Sequence, residues 1–429
     1  MKMTRISLAL CVAMSALGHS HAIAAAFNLN EHSASGLGRA FAGEGAVADN
    51  ASVLARNPAA MSRFESMAVS VAATYVDPNI DIKGRENLTI PVGGTAATLP
   101  KSALNANDIA PNAWVPASYF IQPLNDKWSW GLGLFTNYGL STEFDKNYAA
   151  GIIGGETELT TFNINPNVAY KINEQWSLGV GLNAIYADAK LVRRAGVASM
   201  LSSQLQPSTA LVDLSGDTWD WGWNAGVMYQ LNERHRWGLS YRSGTTLSFN
   251  GDYVGSTSNF NKVPGALDLE LPAIAEFSGY DRLSERFAVH YSVQWTGWDV
   301  FKELKATSDQ CRNGVCFQKD QDFSDSWRYA IGGTYYLDPQ WTLRAGLALD
   351  RQAAHDVISI PDTERLWYSL GLTYQVNQNW SVDVGMAYLD GKNVNIDEPL
   401  TVPGVGTLTV PLSSSASAFL SSAQVNYQF

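Results

Sequence analysis

Six short polar turns recur along this chain of 429 residues, and each is followed by a stretch in which apolar residues alternate with small or polar ones. After the second turn, Trp176, Leu178 and Val180 alternate with Ser177 and Gly179. Successive strand side chains face opposite sides, and a membrane-spanning barrel needs apolar residues toward lipid and an aromatic residue at the interface. The repeat therefore predicts an all-β fold, a transmembrane antiparallel β-barrel. The alternating stretches open at Trp128, Trp176, His235, Phe287, Trp341 and Trp380.

The number of turns predicts the number of strands. In outer-membrane barrels short periplasmic turns alternate with longer outer loops, so six turns with both chain ends inside require about 14 strands. About 12 or about 16 strands are the alternatives. An even number permits closure, which leaves no unpaired strand edge in lipid. The predicted strands begin near Met67, Ala113, Trp128, Leu159, Trp176, Thr218, Trp237, Leu267, Phe287, Ser326, Trp341, Leu366, Trp380 and Ala418.

Both ends of the chain carry targeting features. Lys2 and Arg5 precede an apolar run at residues 6–17 and an Ala-Ile-Ala string, so residues 1–24 are predicted to be a secretory signal peptide. The last strand ends in Phe429, and a terminal aromatic residue resembles the signal read by the machinery that inserts barrels into the bacterial outer membrane. We therefore expect an integral, multi-pass protein surrounded by outer-membrane lipid.

Charge and cysteine content narrow the classes of partner. The net charge of −11 argues against nucleic acid, which requires a basic surface. Cys311 and Cys316 lie in a predicted outer loop, where the oxidising compartment favours a local disulfide. Metal binding is the alternative, but two cysteines without a nearby histidine make a weak zinc site. We predict no metal, no other cofactor and, since nothing in the sequence indicates oligomerisation, a monomer.

Residues 25–62 break the strand pattern and are rich in Gly and Ala. Residues 46–60 are predicted to form a short helix interrupted at Asn57 and Pro58, because a residue before proline is disfavoured in helical conformation. A periplasmic tail is the alternative, but a tail would have more charge and fewer large apolar residues. We predict that residues 25–62 form a hatch (plug) inside the lumen, followed by a barrel over residues 63–429.

The segment from Phe27 through Asn57-Pro58-Ala59 resembles the N-terminal hatch of the FadL family, the outer-membrane long-chain fatty-acid transporters. The resemblance continues through strings that begin at Asp108, Thr136, Trp221 and Ser359 and covers essentially the whole mature chain. It implies a plugged barrel that binds its ligand in an outer apolar groove and then in a lumenal pocket. Movement of the hatch then allows lateral exit into lipid at a kink in strand three, without an energy source.

The resemblance also implies roles for individual residues. Phe27 corresponds to a hatch aromatic in the pocket, and Arg193 and Lys319 correspond to positions that face the bound carboxylate. The hatch motif beside the wall opening corresponds to Asn57, Pro58 and Ala59, and the strand-three kink corresponds to Asn137, Tyr138 and Gly139. From the residues alone, a packing aromatic, solvated loop charges, turn chemistry and an interfacial tyrosine are the alternatives.

Two outer loops are expected to differ in importance. Residues 194–216 form a short loop for a family in which this loop and the next build the surface groove, so initial capture is expected to differ. The first outer loop, residues 83–107, reads as polar and flexible, with no predicted function.

Three other functions remain as alternatives. A lipid hydrolase would use a pair such as His290 and Ser292, but their strand positions turn both toward the lumen and away from lipid, so no catalytic residue is predicted. A general porin would lack a compact plug and carry charged rings in an open lumen. Import of aromatic or other small hydrophobic hydrocarbons is the nearest alternative, but Arg193 and Lys319 favour a carboxylate ligand.

Overall fold

The computed structural model of the protein describes residues 26–92, 95–354, 357–402 and 406–429. The predicted signal peptide lies outside these residues. The strands are β1 (Ala68–Gly84), β2 (Leu88–Val92), β3 (Thr95–Leu99), β4 (Ala113–Pro123), β5 (Trp128–Phe135), β6 (Gly139–Glu143), β7 (Glu156–Lys171), β8 (Trp176–Arg194), β9 (Ala210–Asn232), β10 (His235–Arg242), β11 (Thr245–Gly255), β12 (Val263–Leu271), β13 (Ile274–Arg282), β14 (Phe287–Thr296), β15 (Glu303–Thr307), β16 (Val315–Asp320), β17 (Ser326–Tyr336), β18 (Trp341–Asp350), β19 (Arg365–Gln375), β20 (Trp380–Gly391), β21 (Val394–Val402) and β22 (Gly406–Gln428).

All strands except the β2–β3 hairpin form one antiparallel barrel, which closes where β1 pairs with both β4 and β22. Short irregular segments divide several passes across the barrel into two strands, and counting those as single passes gives the 14 strands predicted. Strands β9, β12 and β22 start earlier than predicted. They begin at Ala210, Val263 and Gly406 rather than near Thr218, Leu267 and Ala418.

The repeated turn has a local chemical cause. In Ile172-Asn-Glu-Gln-Trp176, the Asn173 side-chain oxygen accepts hydrogen bonds from the backbone N–H groups of Gln175 and Trp176, at 2.9 and 2.8 Å. Side-chain oxygens of this kind stabilise tight turns. Trp176 then packs on Tyr229 of the neighbouring strand, with ring centroids 4.6 Å apart. The same turn bonding occurs at Asn125, Asn173, Asn232, Asp338 and Asn377.

Residues 26–64, which we call the hatch, lie inside the barrel. They form α1 (Ala34–Leu37), α2 (Glu44–Val47) and two 3-10 helices, Ala51–Ala55 and Pro58–Arg63. The predicted interruption at Asn57 and Pro58 is present, but the helix predicted over residues 46–60 is divided once more, at Asn50. Asn50 and Asn57 each adopt extended backbone and cap a separate 3-10 helix. None of the described helices has the length and hydropathy needed to cross a membrane.

Polar contacts attach the hatch to strands around the barrel. The Ala34 N–H donates to Gln424 of β22 at 2.9 Å, and the Gly45 N–H donates to Ser278 of β13 at 3.1 Å. Ion pairs join the hatch to the wall on two further sides, between Arg344 and Asp49 at 2.9 Å and between Arg56 and Glu276 at 3.1 Å. The plug is therefore held by directional contacts at several separate points.

The first outer loop is folded, contrary to the prediction for residues 83–107. Its β2–β3 hairpin and the 3-10 helix Lys101–Leu104 bury Ile90, Leu99 and Leu104 in an apolar cluster with outer parts of other strands. The wrong expectation arose because the buried residues are separated by polar ones. The remaining 3-10 helices in the described ranges are Gly196–Leu201, Ser256–Ser258, Trp298–Val300 and Arg312–Gly314. Cys311 and Cys316 are joined by a disulfide, with an S–S distance of 2.07 Å, in the β15–β16 hairpin.

Candidate functional site

The main cavity is an apolar space bordered by Phe27 of the hatch and partly open to solvent. Its walls come mostly from apolar residues on inward faces of β6 to β12, together with outer segments of the chain. The lining residues include Phe27, Leu140, Thr157, Ala189, Lys190, Leu267, Phe301, Leu304 and Ile360. An apolar lining of this kind suits a hydrophobic small molecule.

Phe27 borders the main cavity at the start of the hatch and is 1% exposed. Its ring packs edge-on against Trp298, Phe301 and Tyr138, with centroid distances of 4.5, 5.6 and 6.3 Å. Edge-to-face aromatic contacts of this kind are individually weak, worth ~0.5–1.5 kcal/mol beyond burial. A ligand whose contacts replaced these would offset the free-energy cost of moving the Phe27 ring.

Residues 136–138 interrupt strand three, and we call them the interruption. Pairing of β5 with β7 ends at Phe135–Asn163, whereas pairing of β6 with β7 begins at Gly139–Thr160. The β5–β6 side therefore contains one residue more than β7, which is the definition of a bulge. Of the predicted kink residues, Asn137 and Tyr138 lie in the extra loop and Gly139 begins β6.

The interruption contacts the N-terminal end of the hatch directly. The Gly139 N–H donates to the Phe27 carbonyl at 3.0 Å, and the Leu29 N–H donates to the Asn137 carbonyl at 2.7 Å. Asn28 forms a β-bridge with Tyr138. The structure thus joins the predicted pocket aromatic to the predicted kink, which are 110 residues apart between Phe27 and Asn137 in the sequence.

The barrel wall is incomplete beside the interruption. Pairing of β4 with β5 ends at Ser118–Leu134, and the outer part of β4, residues 113–117, pairs with β1 on its other side. Backbone contact across this position returns further out, where the Glu143 N–H donates to the Ile109 carbonyl at 2.7 Å. We call the unpaired stretch between these two points the wall gap.

Asn57, Pro58 and Ala59 lie on the inner surface of other strands. The Asn57 side chain accepts from the Ala59 N–H at 3.0 Å and donates to the carbonyls of Gly45 and Val227, at 2.9 and 3.1 Å. Close approach requires glycine, since a Cβ at Gly179 of β8 would lie 2.3 Å from the Ala59 nitrogen. The interruption is instead contacted by residues 27–29 and by His32, which donates to the Thr136 carbonyl at 3.1 Å.

The two predicted carboxylate-binding cations do not line the main cavity, but each lies beside a residue that does. The Arg193 guanidinium donates to the Glu156 and Val192 carbonyls at 3.0 and 2.8 Å and to the Thr157 hydroxyl at 3.0 Å. Thr157 lines the cavity. Lys319 is paired in register with cavity residue Leu304 and forms an ion pair with Glu398.

Glu398 is the functional candidate that sequence reasoning missed. It is fully buried, and its second oxygen accepts a hydrogen bond from the Ile358 N–H at 2.9 Å. A usable signal existed, because this acid occupies the buried side of a strand between Ile396 and Leu400. Lys190, which lines the cavity and pairs with Glu156 at 2.5 Å, was also missed.

His290 and Ser292 point into the lumen, as predicted, and lie against the hatch side of the wall. His290 Nε2 is 2.7 Å from the Thr334 hydroxyl, and Ser292 donates to the Phe41 carbonyl at 3.5 Å. Among the described residues no group of three or more His, Cys, Asp and Glu side chains is arranged to hold a metal ion.

A closed antiparallel barrel with lipid-facing alternation and a folded plug defines a class, the plugged β-barrels of the outer membrane. Residues 15–429 match the family described as "Outer membrane protein transport protein (OMPP1/FadL/TodX)". The chain belongs to this family and is an outer-membrane protein.

Named relatives extend over nearly the whole chain. The chain is 42% identical to the "Long-chain fatty acid transport protein" of Escherichia coli O6:H1, covering 99% of this chain and 98% of that protein. It is 44% identical to the "47 kDa outer membrane protein" of Pasteurella multocida, covering 100% and 99%.

Solved structures share the fold at lower identity. A Pseudomonas aeruginosa FadL homologue matches with a TM-score of 0.81 and 22% identity, covering 94% of this chain and 99% of that chain. The toluene transporter TodX of Pseudomonas putida matches with a TM-score of 0.64 and 16% identity, covering 89% and 94%.

Proposed function

We propose that this protein imports long-chain fatty acids across the outer membrane by ligand-gated, energy-independent diffusion. The position of Phe27 carries the proposal, because its ring borders the main cavity while its carbonyl is bonded to the interruption. A ligand that displaces the ring therefore also strains the contact beside the wall gap. The named Escherichia coli relative, at 42% identity, supports a fatty acid as the ligand.

The cavity and the cations have different tasks in this proposal. Burial of each methylene is worth ~0.8 kcal/mol, so an acyl chain supplies most of the binding free energy. Arg193 and Lys319 beside the cavity lining supply preference for a carboxylate, since charged hydrogen bonds are the stronger ones. Lys319 must then exchange Glu398 for the carboxylate of the ligand.

The gating step uses the two ends of the hatch differently. Residues 27–29 are held at the interruption by two backbone hydrogen bonds. Asn57 bonds to the wall at Val227 and to Gly45 and Ala59 within the hatch, and residues 57–59 also pack closely on Gly179 and Gly226. We therefore assign displacement to the N-terminal end and anchoring to Asn57, Pro58 and Ala59. The displaced segment opens a path from the main cavity to the wall gap, through which the ligand leaves sideways into lipid.

Import of aromatic hydrocarbons is the second candidate function. The pairing of Lys319 with Glu398 favours it, because a neutral ligand would leave this buried ion pair intact. The two candidates differ in their response to charge beside the cavity lining. Catalysis is not proposed, since the named relatives are transporters and His290 and Ser292 face the hatch.

The test is uptake of radiolabelled oleate and toluene by cells that lack their own importer and express this protein. Ala189→Trp places a large side chain in the main cavity and is expected to reduce uptake of the true ligand about tenfold. Val180→Trp is the matched control, because Val180 lies on the lipid face of the same strand and is 61% exposed.

Equal surface expression of both variants is checked by cell-surface labelling. Oleate uptake by the wild type that collapses in Ala189→Trp alone supports fatty-acid import. Toluene uptake without oleate uptake would replace it with the second candidate. Unchanged uptake in Ala189→Trp would remove the main cavity from the transport route.

A further inference from the structure

A second, smaller cavity lies between the hatch and the wall beside the interruption. Phe27 borders the main cavity and the next two residues, Asn28 and Leu29, border the second, so three consecutive hatch residues separate the two spaces. Unlike the main cavity, the second one is polar. Its charged and polar side chains are His32, Arg56, Asn137, Arg242 and Glu276, with Asn28 and Ser240.

The most informative residue in the lining of the second cavity is Arg242, the last residue of β10. It is 9% exposed, and its guanidinium donates to the Asn183 side-chain oxygen and to the Ala55 carbonyl, the latter at 2.9 Å. Neither acceptor is charged, and within the described ranges no carboxylate forms an ion pair with it. A guanidinium has five N–H donors, so these two bonds leave donors for a further acceptor.

The other charges around the second cavity do not neutralise Arg242. Glu276 is matched by Arg56 at 3.1 Å, and Arg56 also donates to Gln294 and Asn30 at 2.9 and 2.7 Å. Burial, with Arg56 and Arg242 nearby, lowers the pKa of His32 well below its usual range, so this imidazole is neutral. The lining therefore carries one net positive charge.

Arg236 lies on the same strand as Arg242 and is an example of an arginine with a structural role. Arg236 also faces inward on β10, but it donates to the carbonyls of Ala46, Val47 and Glu233 and lies 3.7 Å from the Tyr280 ring centroid. It lines neither cavity. Arg242 also donates to a hatch carbonyl, that of Ala55, and lies 5.4 Å from the Phe135 ring centroid. It differs from Arg236 in bordering the polar second cavity.

We propose that Arg242 forms a second binding site for the carboxylate of an alkyl carboxylate, occupied after the ligand leaves the main cavity. A buried cation without a charged partner is costly, and an anion in the adjacent cavity would offset that cost. Arginine also suits the ligand, because its planar fork can donate two parallel hydrogen bonds to one carboxylate. The inference rests on the proposed function for the source of the ligand.

The proposed Arg242 site gives the ligand a polar binding position on the lateral route to the wall gap. Asn137, which lies in the interruption, lines the second cavity, and its side-chain oxygen is occupied by Asn163 at 3.0 Å. A carboxylate held by Arg242 would therefore lie beside the wall gap without entering lipid. Without this site, the charged group would leave the main cavity without a partner, which is unfavourable.

The first measurement compares uptake of oleate with uptake of oleyl alcohol, which has the same chain without the carboxylate. Arg242→Gln is expected to reduce oleate uptake about tenfold and to leave oleyl alcohol uptake unchanged, while Arg242→Lys restores most oleate uptake. Arg236→Gln is the control and is expected to affect both compounds alike. An equal loss of both in Arg242→Gln would show a structural role and overturn the proposal.

A second variant keeps the test valid if Arg242→Gln fails to fold. Asn137→Asp retains the acceptor used by Asn163 and adds a negative charge to the second cavity, so it is expected to lower oleate uptake selectively. Equal uptake of oleate by this variant and the wild type would count against a carboxylate site there.

A measurement independent of transport distinguishes this site from the proposed function. Crystals of the wild-type protein soaked with 2-bromooctanoate should show an anomalous bromine peak beside Arg242, which is lost in Arg242→Gln crystals. A peak in a protein that takes up no oleate would disprove the proposed function and retain the site. A missing peak in the wild type, or a peak in both proteins, would disprove the site.

Discussion

At the scale of single residues, the carboxylate of Glu398 lies where the carboxylate of the ligand would bind Lys319 in our proposal. Glu398 forms an ion pair with Lys319, and the same carboxylate accepts a hydrogen bond from the Ile358 N–H. Breaking a buried ion pair is strongly unfavourable unless a replacement partner arrives. Glu398 therefore acts in our proposal as the competitor that a fatty acid must replace.

Glu398→Gln is predicted to strengthen oleate binding about tenfold, because Lys319 then lacks a charged partner until the ligand supplies one. Equilibrium binding of oleate to the purified protein in detergent checks the prediction. Asp397→Asn is the control. The Asp397 carboxylate is next to Glu398 in sequence, but it is 63% exposed and pairs with Arg85 outside the cavity. Unchanged or weaker oleate binding by Glu398→Gln would argue that the two carboxylates do not compete.

A second feature at the residue scale is the protonation of the buried Glu31 carboxyl in the hatch. Burial raises the pKa of the Glu31 carboxyl to about 7, and its Oε1 has no hydrogen-bond partner among the described residues. The usual unfolded value is lower, so the stability contributed by the protonated form is present at acidic pH and is lost as the pH rises through 7.

Glu31→Gln is therefore predicted to flatten the pH dependence of hatch stability between about pH 5 and about pH 8, because Gln cannot ionise. Thermal unfolding in detergent at a series of pH values measures this. Glu65→Gln, an exposed change just after the hatch, should leave the dependence as in the wild type. An identical pH profile for Glu31→Gln would show that Glu31 does not titrate there.

At the scale of elements, one additional residue in strand three accounts for the wall gap. The bulge between Phe135 and Gly139 turns β6 away from the outer half of β4, so residues 113–117 lack a partner on that side. Bulges bend the strand that contains them and locally disrupt the ladder. The same bulge presents Asn137 and Tyr138 to the hatch.

Deletion of Asn137 is predicted to restore continuous pairing of strand three with β7 and to close the wall gap. Oleate uptake should then fall about tenfold while the protein still folds and inserts. Deletion of Glu86, an exposed residue between β1 and β2, is the control for removing one residue. Normal uptake after deletion of Asn137 would exclude lateral exit at this position.

At the scale of the whole molecule, the hatch closes the lumen through apolar clusters with the wall and through polar contacts between them. Removing one partner of a buried hydrogen bond between hatch and wall leaves the other group unpaired, at a cost of ~1–3 kcal/mol. Such a plug is specific in position and can also release one end while the other remains attached.

Asn57→Ala is predicted to loosen the anchored end, because the Gly45 and Val227 carbonyls lose their donor. Single-channel recordings in planar bilayers should then show frequent openings, whereas the wild type conducts few ions. Asn87→Ala removes an exposed asparagine hydrogen bond in the first outer loop and should behave like the wild type. Silent recordings from Asn57→Ala would place the anchor elsewhere.

The sequence by itself determined the barrel. Alternation along each strand reports which side chains face lipid, and the Asn-containing turn is a local motif, so strand number and direction follow without tertiary information. The hatch was recognisable from its lack of alternation, but its helices were not, because their capping depends on single residues such as Asn50. Sequence resemblance supplied Phe27 and Arg193, not their surroundings.

Only the tertiary structure decided how these parts meet. Closure brings Lys319 to Glu398, Phe27 to Tyr138 and Arg242 to the hatch, and each pair is distant in sequence. No local pattern encodes such contacts, because they depend on strand register and on where the plug lies. The alternating pattern determines the wall of this protein, and packing inside that wall determines its cavities and charges.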